Sequence, residues 1–157
     1  FFFKQKTAYE IPKRDWSSDV CSSDLNVTTQ DGVMPTFVTH PDRAGPFHAV
    51  VLYMDVWGLR EELFDIARRI ATVGYYCAVP DLYYRWGKDV RHAWYDKNGK
   101  QISMEILDKD LVAITREPML KLSDAMVVDD TRAMIAAFDQ GEPVNRGAMG
   151  EIGRAHV

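Results

Sequence analysis

The sequence predicts an α/β protein, with a mainly parallel sheet and helices on both of its faces. Two apolar runs of strand length, His48–Met54 and Tyr75–Val79, enclose an amphipathic segment at Glu61–Val73, and a second helix-like segment follows Ser123. Strand, helix and strand at these lengths form the unit from which parallel sheets are built. The chain has 157 residues, which favours a single domain.

A hairpin is predicted ahead of these elements. Asn26–Thr29 and Val33–Thr39 are strand-like, and the Asp31-Gly32 pair between them is typical of a tight turn. The next strand, His48–Met54, is apolar without alternation, as expected for a central strand that is covered on both faces. Gly58 then permits a tight bend beyond the carboxyl end of this strand.

The first helix is predicted over Glu61–Val73, and Gly74 is expected to end it. Its apolar residues recur at helical spacing on one face: Leu63, Ile66, Ala67, Ile70 and Ala71. After the strand at Tyr75–Val79, a polar and aromatic stretch covers Asp81–Lys100, and a further helix is predicted over Ser103–Ile114.

The last helix is predicted to begin after Ser123, whose hydroxyl suits an N-cap, and to reach Asp139. Its buried side is expected to carry Met126, Val127, Ala133, Met134, Ala137 and Phe138. Asp129 and Asp130 diverge by about 100° around a helix, so we interpret them as surface charges rather than as an acid–base pair. Asp130 lies near the apolar stripe, where a carboxylate needs a partner.

Composition and charge exclude several classes of protein. Apolar residues make up 46% of the chain and charged residues 27%, which is typical of a globular protein. A net charge of −4 argues against a nucleic-acid partner, and no apolar run approaches the roughly 18 residues of a membrane helix. The two cysteines, Cys21 and Cys77, cannot form a disulfide framework and fit a reducing compartment. We therefore expect a cytoplasmic protein without nucleic-acid or membrane partners.

The motifs of several kinds of site are missing from the sequence. It contains neither of the glycine-rich phosphate-binding motifs, Gly-x-Gly-x-x-Gly and Gly-x-x-x-x-Gly-Lys-Ser/Thr. His40, His48 and His92 do not have the spacing of metal ligands. No Gly-x-Ser-x-Gly or Gly-x-Cys-x-Gly nucleophile elbow is present. We expect neither a cofactor nor a metal.

The two ends of the chain, residues 1–25 and 151–157, lack a periodic apolar pattern. One back-translation of Asp19–Leu25 is the reverse complement of one back-translation of Glu151–Val157. An inverted repeat in DNA has no folding rationale, and both ends resemble translated sequencing-library adapters, which are excluded from fold reasoning. We therefore predict that residues 1–25 are disordered, that residues 26–150 are the natural segment, and that residues 151–157 are a second adapter-like stretch.

Within the natural segment, the stretch VLYMDVWGLREELFDIARRIATVGYYCAVPDLYYRWG resembles the dienelactone hydrolase family of the α/β-hydrolase superfamily. The resemblance extends from about Gly32 to Met149. Its most specific part is the combination of an apolar strand, an acid-apolar-aromatic-Gly turn, a helix, and a strand that ends in Pro-Asp-Leu-Tyr.

The resemblance implies hydrolysis of small-molecule lactones or carboxylic esters, as by carboxymethylenebutenolidases, without a cofactor. A nucleophilic Cys or Ser is assisted by a His and an Asp, and backbone amides stabilise the oxyanion. Asp55 stands where the family has an acid, commonly Glu, that contacts the resting thiol, and Val56 stands where a backbone amide joins the oxyanion hole. Arg85 matches a position that holds a substrate carboxylate, and Trp57 and Tyr84 are expected to contact substrate.

The C-terminal part departs from the family pattern. In the family, Gly-x-Met-Gly leads directly into the strand and elbow of the nucleophile, whereas here residues 147–150 run into EIGRAHV. The nucleophile, Asp and His of the triad are therefore expected to lie outside this chain, which we predict to be an inactive N-terminal half. The His48–Met54 strand is then expected at an open sheet edge, an aggregation hazard. The oligomeric state is left open.

Each candidate residue also has a simpler interpretation. Asp55 suits a turn, Arg85 suits a solvated loop, and Cys77 in mid-strand is typical of an inert buried thiol. The aromatic and basic residues after Asp81 could stack on nucleic acid, but their low net charge favours a cap over a substrate cleft. A stand-alone flavodoxin-like binding or signalling domain, or an assembly artefact without a role, are the alternative hypotheses for the whole chain.

Overall fold

The computed structural model describes residues 19–87 and 116–153. Its elements in chain order are β1 (Val20–Thr29), β2 (Gly32–Pro41), β3 (Phe47–Leu52), α1 (Glu61–Thr72), β4 (Tyr76–Pro80), a 3₁₀ turn (Tyr84–Trp86), α2 (Asp124–Ala137), a second 3₁₀ turn (Phe138–Gln140) and β5 (Val144–Ile152). Residues 116–121 are also helical. The helix predicted over 103–114 lies outside the described residues.

The five strands form one sheet in the order β1-β2-β4-β3-β5. β4, β3 and β5 are parallel, whereas β1 pairs with β2 and β2 with β4 in antiparallel register. The sheet is therefore mixed rather than mainly parallel. The predicted hairpin is the cause, because β2 returns alongside β1 and then joins β4 in the opposite sense.

Helices α1 and α2 cover opposite faces of this sheet. Phe37 of β2 packs its ring 4.5 Å from Phe64 of α1. His40, three residues further along β2, stacks on Tyr76, which meets Phe138 at the end of α2. Successive side chains of a strand point to opposite faces, so residues 37 and 40 mark the two sides. The prediction of helices on both faces is confirmed.

Both helices follow the local signals of the sequence. The buried face of α1 is formed by Leu63, Ala67 and Ala71, and the chain leaves the helix through Gly74 at φ +110°, a conformation that favours glycine. Ser123 caps α2, because its side-chain oxygen accepts a hydrogen bond from the amide of Met126. Of the predicted buried side of α2, Met134 and Phe138 are fully buried and the remaining residues are partly covered.

The ends of the sheet differ from the prediction. β1 begins at Val20 instead of Asn26, since residues 20–25 pair with residues 36–41 of β2, and Val20 is buried. β5 pairs with β3 in parallel, so β3 is not at the edge of the sheet, and the pairing includes Glu151 and Ile152. The physical reason is the same at both ends, because an extended segment satisfies the backbone groups of the neighbouring strand.

The helices of the described part of the chain are all too short or too polar to cross a membrane.

Candidate active site

The candidate site lies where two neighbouring parallel strands end. β3 and β4 pair in parallel, so their carboxyl ends meet at the same edge of the sheet. The turn after β3 and the turn after β4 are joined by a hydrogen bond, in which the Tyr83 hydroxyl donates to the Val56 carbonyl at 2.9 Å. Open α/β sheets bind ligands beyond the carboxyl ends of their strands.

Residues 55–58 form a tight turn that Asp55 organises. The Gly58 amide donates to the Asp55 carbonyl at 3.0 Å, which closes the turn. The Trp57 amide donates to Asp55 Oδ1, also at 3.0 Å. Asp at the first position and Gly at the fourth are favoured in such turns, and Gly58 accommodates a φ of +78°. Asp55 therefore has the turn role that its residue type suggests.

Asp55 also forms a two-point ion pair with Arg60. Nη1 of Arg60 donates to Oδ1 of Asp55 at 2.6 Å, and Nη2 donates to Oδ2 at 2.7 Å. The side chains are only 6% and 5% exposed, so the pair is shielded from water. The contact with Asp55 raises the pKa of Arg60 above its ordinary value, although burial opposes this. The Arg60 guanidinium therefore keeps its charge in this buried position.

Arg60 is the member of this candidate site that the sequence analysis missed. It occupies the N-cap position of α1 without capping the helix, because its side chain turns back to the preceding turn. Ser, Thr, Asp and Asn are the usual N-caps, and a positive charge is unfavourable at the positive end of a helix. An arginine at that position, five residues after an acid that follows a strand, is the signal that could have revealed the pair.

The Val56 amide is the donor that this turn leaves open. The turn uses the amides of Trp57 and Gly58, and the Val56 carbonyl accepts from Tyr83. Within residues 19–87 and 116–153, the Val56 amide has no hydrogen-bond acceptor. The carbonyl of the same peptide unit, that of Asp55, accepts from the Gly58 amide at 3.0 Å, so the direction of this N–H is set before any ligand arrives.

Tyr83 contributes to this arrangement as a neutral donor. Its side chain is buried beside two acids, Asp55 and Asp81. Burial and the charges of these two acids raise the pKa of Tyr83 to about 12. The Tyr83 amide also donates to Oδ1 of Asp81 at 3.1 Å, which holds the second turn.

Arg85 and Tyr84 belong to a second group, on the side of α2. Nη1 and Nη2 of Arg85 donate to the two oxygens of Asp130 at 2.7 and 2.8 Å, and Nε donates to Asp31 at 2.8 Å. The Tyr84 hydroxyl donates to Asp130, and the Arg85 guanidinium lies 4.5 Å from the centre of the Tyr84 ring. We call Asp31, Arg85 and Asp130 the arginine clasp.

The clasp joins one guanidinium to two carboxylates, so its formal net charge is −1. Burial alone would lower the pKa of Arg85, but its hydrogen bonds to Asp130 and Asp31 raise the pKa above the ordinary value. Asp130 is fully buried and has Arg85 as its partner, whereas the Asp31 side chain is 43% exposed. A cavity of about 270 Å³ beside Thr29, Asp129 and Asp130 borders the clasp.

The remaining candidates have simpler surroundings. Trp57 lies in the Asp55 turn and is partly exposed. Cys77 is fully buried in the middle of β4, and burial raises the pKa of its thiol to about 12. Among residues 19–87 and 116–153, no three His, Cys, Asp or Glu side chains are close enough to hold a metal ion.

Comparison with known proteins places these features in a family context. The sequence model of the dienelactone hydrolase family matches residues 34–153. A protein of Methylorubrum extorquens that is provisionally named a carboxymethylenebutenolidase is 29% identical over 120 residues. The match covers 76% of this chain and 36% of that relative, so the chain spans about a third of its length.

Solved structures give the same fold. A provisionally named dienelactone hydrolase from Klebsiella pneumoniae superposes with a TM-score of 0.65 at 22% identity, over 85% of this chain and 49% of that one. A dienelactone hydrolase-like promiscuous phosphotriesterase from metagenomic libraries superposes with a TM-score of 0.56 at 15% identity, over 86% and 49%. The chain therefore corresponds to about half of an α/β-hydrolase fold.

Proposed function

Because the chain belongs to the dienelactone hydrolase family, we propose that it is part of an enzyme that hydrolyses small-molecule lactones or carboxylic esters. The observation that supports this most is the Val56 amide, which is left open by a fixed turn at the carboxyl end of two parallel strands. Acyl transfer requires such pre-oriented donors, because negative charge develops on the carbonyl oxygen in the transition state.

In the proposed reaction, a nucleophile attacks the ester carbonyl carbon, and the electron pair of the C=O bond moves to the oxygen. The Val56 amide donates a hydrogen bond to this oxyanion. When the pair returns, the bond to the alcohol oxygen breaks, and the alcohol leaves with the proton that the nucleophile gave up to the proposed His. Water then hydrolyses the acyl-enzyme, which releases the acid and restores the nucleophile. Asp55 and Tyr83 do not react in these steps. Their role is to hold the turn from which Val56 donates.

The nucleophile, His and Asp are proposed to come from sequence beyond this chain. Neither Gly-x-Ser-x-Gly nor Gly-x-Cys-x-Gly occurs in the 157 residues, and Cys77 is buried as a neutral thiol. We therefore propose that the 157-residue chain alone is inactive. Residues 1–25 and 151–157 are proposed to be adapter-like additions to the natural segment 26–150.

The substrate contacts are proposed at the same two strand ends. Trp57 follows Val56 in the Asp55 turn and is partly exposed, and we propose that its side chain contacts a bound acyl group. Arg85, with Tyr84 beneath it, remains the proposed anchor for a substrate carboxylate. In that role a substrate carboxylate must replace Asp31, the exposed partner in the clasp, while Asp130 keeps its two contacts.

The test is a substitution that removes a single N–H. In the full-length protein that contains this segment, Val56→Pro deletes the amide hydrogen at the second position of a turn, where proline is favoured. We expect kcat for a p-nitrophenyl ester to fall by about 10²–10³-fold, the range for loss of one oxyanion donor. Val56→Ala keeps the amide and is the matched control, with kcat close to that of the unchanged protein.

Two results would contradict the proposal. One is a full-length protein that hydrolyses neither p-nitrophenyl esters nor lactones. The other is Val56→Pro with an unchanged kcat. Turnover by the 157-residue chain alone, abolished by alkylation of Cys77, would instead overturn the proposal that the nucleophile lies elsewhere.

A further inference from the structure

Arg60 contacts neither the Val56 amide nor any group that would touch substrate in the proposed reaction, yet its contacts converge on the turn that carries this amide. From this geometry we infer that Arg60 is a positioning residue of the oxyanion hole, which acts by fixing the Asp55 carboxylate. The inference rests on the proposed function, and it adds a residue to which neither the sequence motifs nor the family resemblance gave a role.

The first step is that Asp55 has a single orientation. Its Oδ1 accepts from Arg60 Nη1 at 2.6 Å and from the Trp57 amide at 3.0 Å, and its Oδ2 accepts from Arg60 Nη2 at 2.7 Å. A planar guanidinium that bonds both oxygens fixes the plane of the carboxylate as well as its position. A carboxylate held in this way holds the Trp57 amide in turn.

The second step is that the restraints on both peptides next to Val56 come from this turn and from Tyr83. The Val56–Trp57 peptide is held by Tyr83 at the carbonyl and by Asp55 at the Trp57 amide. The preceding Asp55–Val56 peptide, which carries the open amide, is fixed through the Gly58 amide that bonds the Asp55 carbonyl. If Asp55 rotates, the turn loses the side-chain bond that orders it, and the Val56 N–H swings away from its direction.

The third step concerns the position of Arg60 in the chain. Arg60 is the N-cap residue of α1, and its guanidinium also donates to the Gly58 carbonyl at 3.5 Å and to Glu62 at 3.1 Å. It therefore ties the turn to the start of a helix that packs on β2 and β4 through Leu63 and Ala67. The position of the Val56 amide is therefore fixed by helix α1 rather than by the loop alone.

This arrangement assigns Asp55 a different task from contact with a resting thiol. Both of its oxygens accept hydrogen bonds from the guanidinium, which occupies the side of the carboxylate that a thiol would have to approach. Asp55 then serves as the link between Arg60 and the turn.

The experiment compares Arg60→Gln with Arg68→Gln in the full-length protein. Arg68 lies on the same helix and pairs with Glu61 and Asp65, away from the turn, so it is matched for the loss of a helical arginine. Active sites are counted by the burst of p-nitrophenol from p-nitrophenyl butyrate, and kcat is expressed per titrated site. This separates impaired catalysis from loss of folded protein.

For Arg60→Gln we expect kcat per site to fall by about 10- to 100-fold with KM within about twofold, because a displaced donor costs less than a deleted one. The inhibition constant of a trifluoromethyl ketone, which mimics the tetrahedral intermediate, should rise by the same factor. Binding of the product, butyrate, should not change. For Arg60→Lys, kcat per site should lie between the values for Arg60→Gln and the unchanged protein. An ammonium keeps the charge but cannot bond both carboxylate oxygens in one plane.

The outcomes separate the inference from the proposed function. If Arg60→Gln lowers only the melting temperature and the burst amplitude, while kcat per site and ketone binding match those of Arg68→Gln, Arg60 is merely structural and the inference is wrong. The proposed function would survive that result, because the Val56→Pro loss does not depend on it. If the unchanged protein gives no burst and no turnover, both fall together.

Discussion

At the scale of single residues, the ion pairs of Arg85 decide whether it can bind a substrate carboxylate. Three of its nitrogens face carboxylates of the same chain, so its charge is already compensated. The two carboxylates differ, because Asp130 is buried and Asp31 is exposed. Exposed ion pairs contribute at most about 1 kcal/mol, whereas breaking a buried pair costs about 3–5 kcal/mol. Only Asp31 is a realistic site of exchange with a substrate.

This difference gives a test of the anchor that does not disturb the core. In the full-length protein, Asp31→Asn removes a competitor for Arg85, so KM for a carboxylate-bearing ester should fall by up to about fivefold, the equivalent of about 1 kcal/mol. KM for the matching neutral ester should not change. Asp65→Asn, an exposed acid on α1, controls for the altered net charge. Equal changes for both esters would exclude Arg85 as the anchor.

Tyr83 predicts how stability depends on alkaline pH. Its pKa is raised to about 12 in the folded chain, compared with about 10 for an unfolded tyrosine. Above pH 10 the unfolded state loses this proton first, so the stabilisation is complete below pH 10 and is lost as the pH rises towards 12. Urea unfolding at pH 9 and pH 11 should therefore show a smaller drop for Tyr83→Phe than for the unchanged chain. An equal drop would show that Tyr83 ionises normally in the folded state.

At the scale of elements, local signals predicted structure well and long-range partners poorly. The hairpin, α1 with its Gly74 stop, and the Ser123 cap follow from residues within a few positions of each other. The position of β5 beside β3 depends on an edge that no local pattern encodes. The pair of Arg85 with Asp130 was missed for the same reason, since the two residues are 45 positions apart. The pair of Arg60 with Asp55 is local, at five positions, and was missed because an arginine at an N-cap position was not considered as a partner for Asp55. For Asp130, only the need for some partner was predictable.

The cap of α2 can be tested alone. Ser123→Ala removes the oxygen that accepts from the Met126 amide, which leaves one helix-end amide without its partner. The expected loss is about 1 kcal/mol in the free energy of unfolding. Ser23→Ala, an exposed serine in β1, is the control, with a change within about 0.5 kcal/mol. Indistinguishable urea midpoints for the two variants would contradict the capping role.

At the scale of the whole molecule, the sequence and the structure give different boundaries for the folded unit. The sequence predicted that residues 1–25 are disordered, whereas the structure pairs residues 20–25 with β2 and buries Val20. Such pairing is compatible with an adapter origin, because any extended segment can add to an open sheet edge. The origin of residues 1–25 therefore stays a prediction.

Two truncations separate these views. Deletion of residues 1–18 should leave the free energy of unfolding within about 0.5 kcal/mol. Deletion of residues 1–25 should cost more, of the order of 1.5–3 kcal/mol, because it also exposes the site of Val20. Differential scanning calorimetry of the two shortened chains is the measurement. Equal stabilities would show that residues 19–25 add nothing to the fold.

The arginine clasp also has a consequence for the order in which the molecule assembles. Arg85 joins a residue 54 positions before it to one 45 positions after it, so two large loops must close before the clasp exists. Because closing such loops costs entropy, we expect these contacts to form after the transition state for folding. Breaking the clasp with Asp130→Asn should then accelerate unfolding in stopped-flow experiments while leaving the refolding rate nearly unchanged. The clasp would thus slow unfolding, so it determines the lifetime of the native state rather than the rate at which the native state forms.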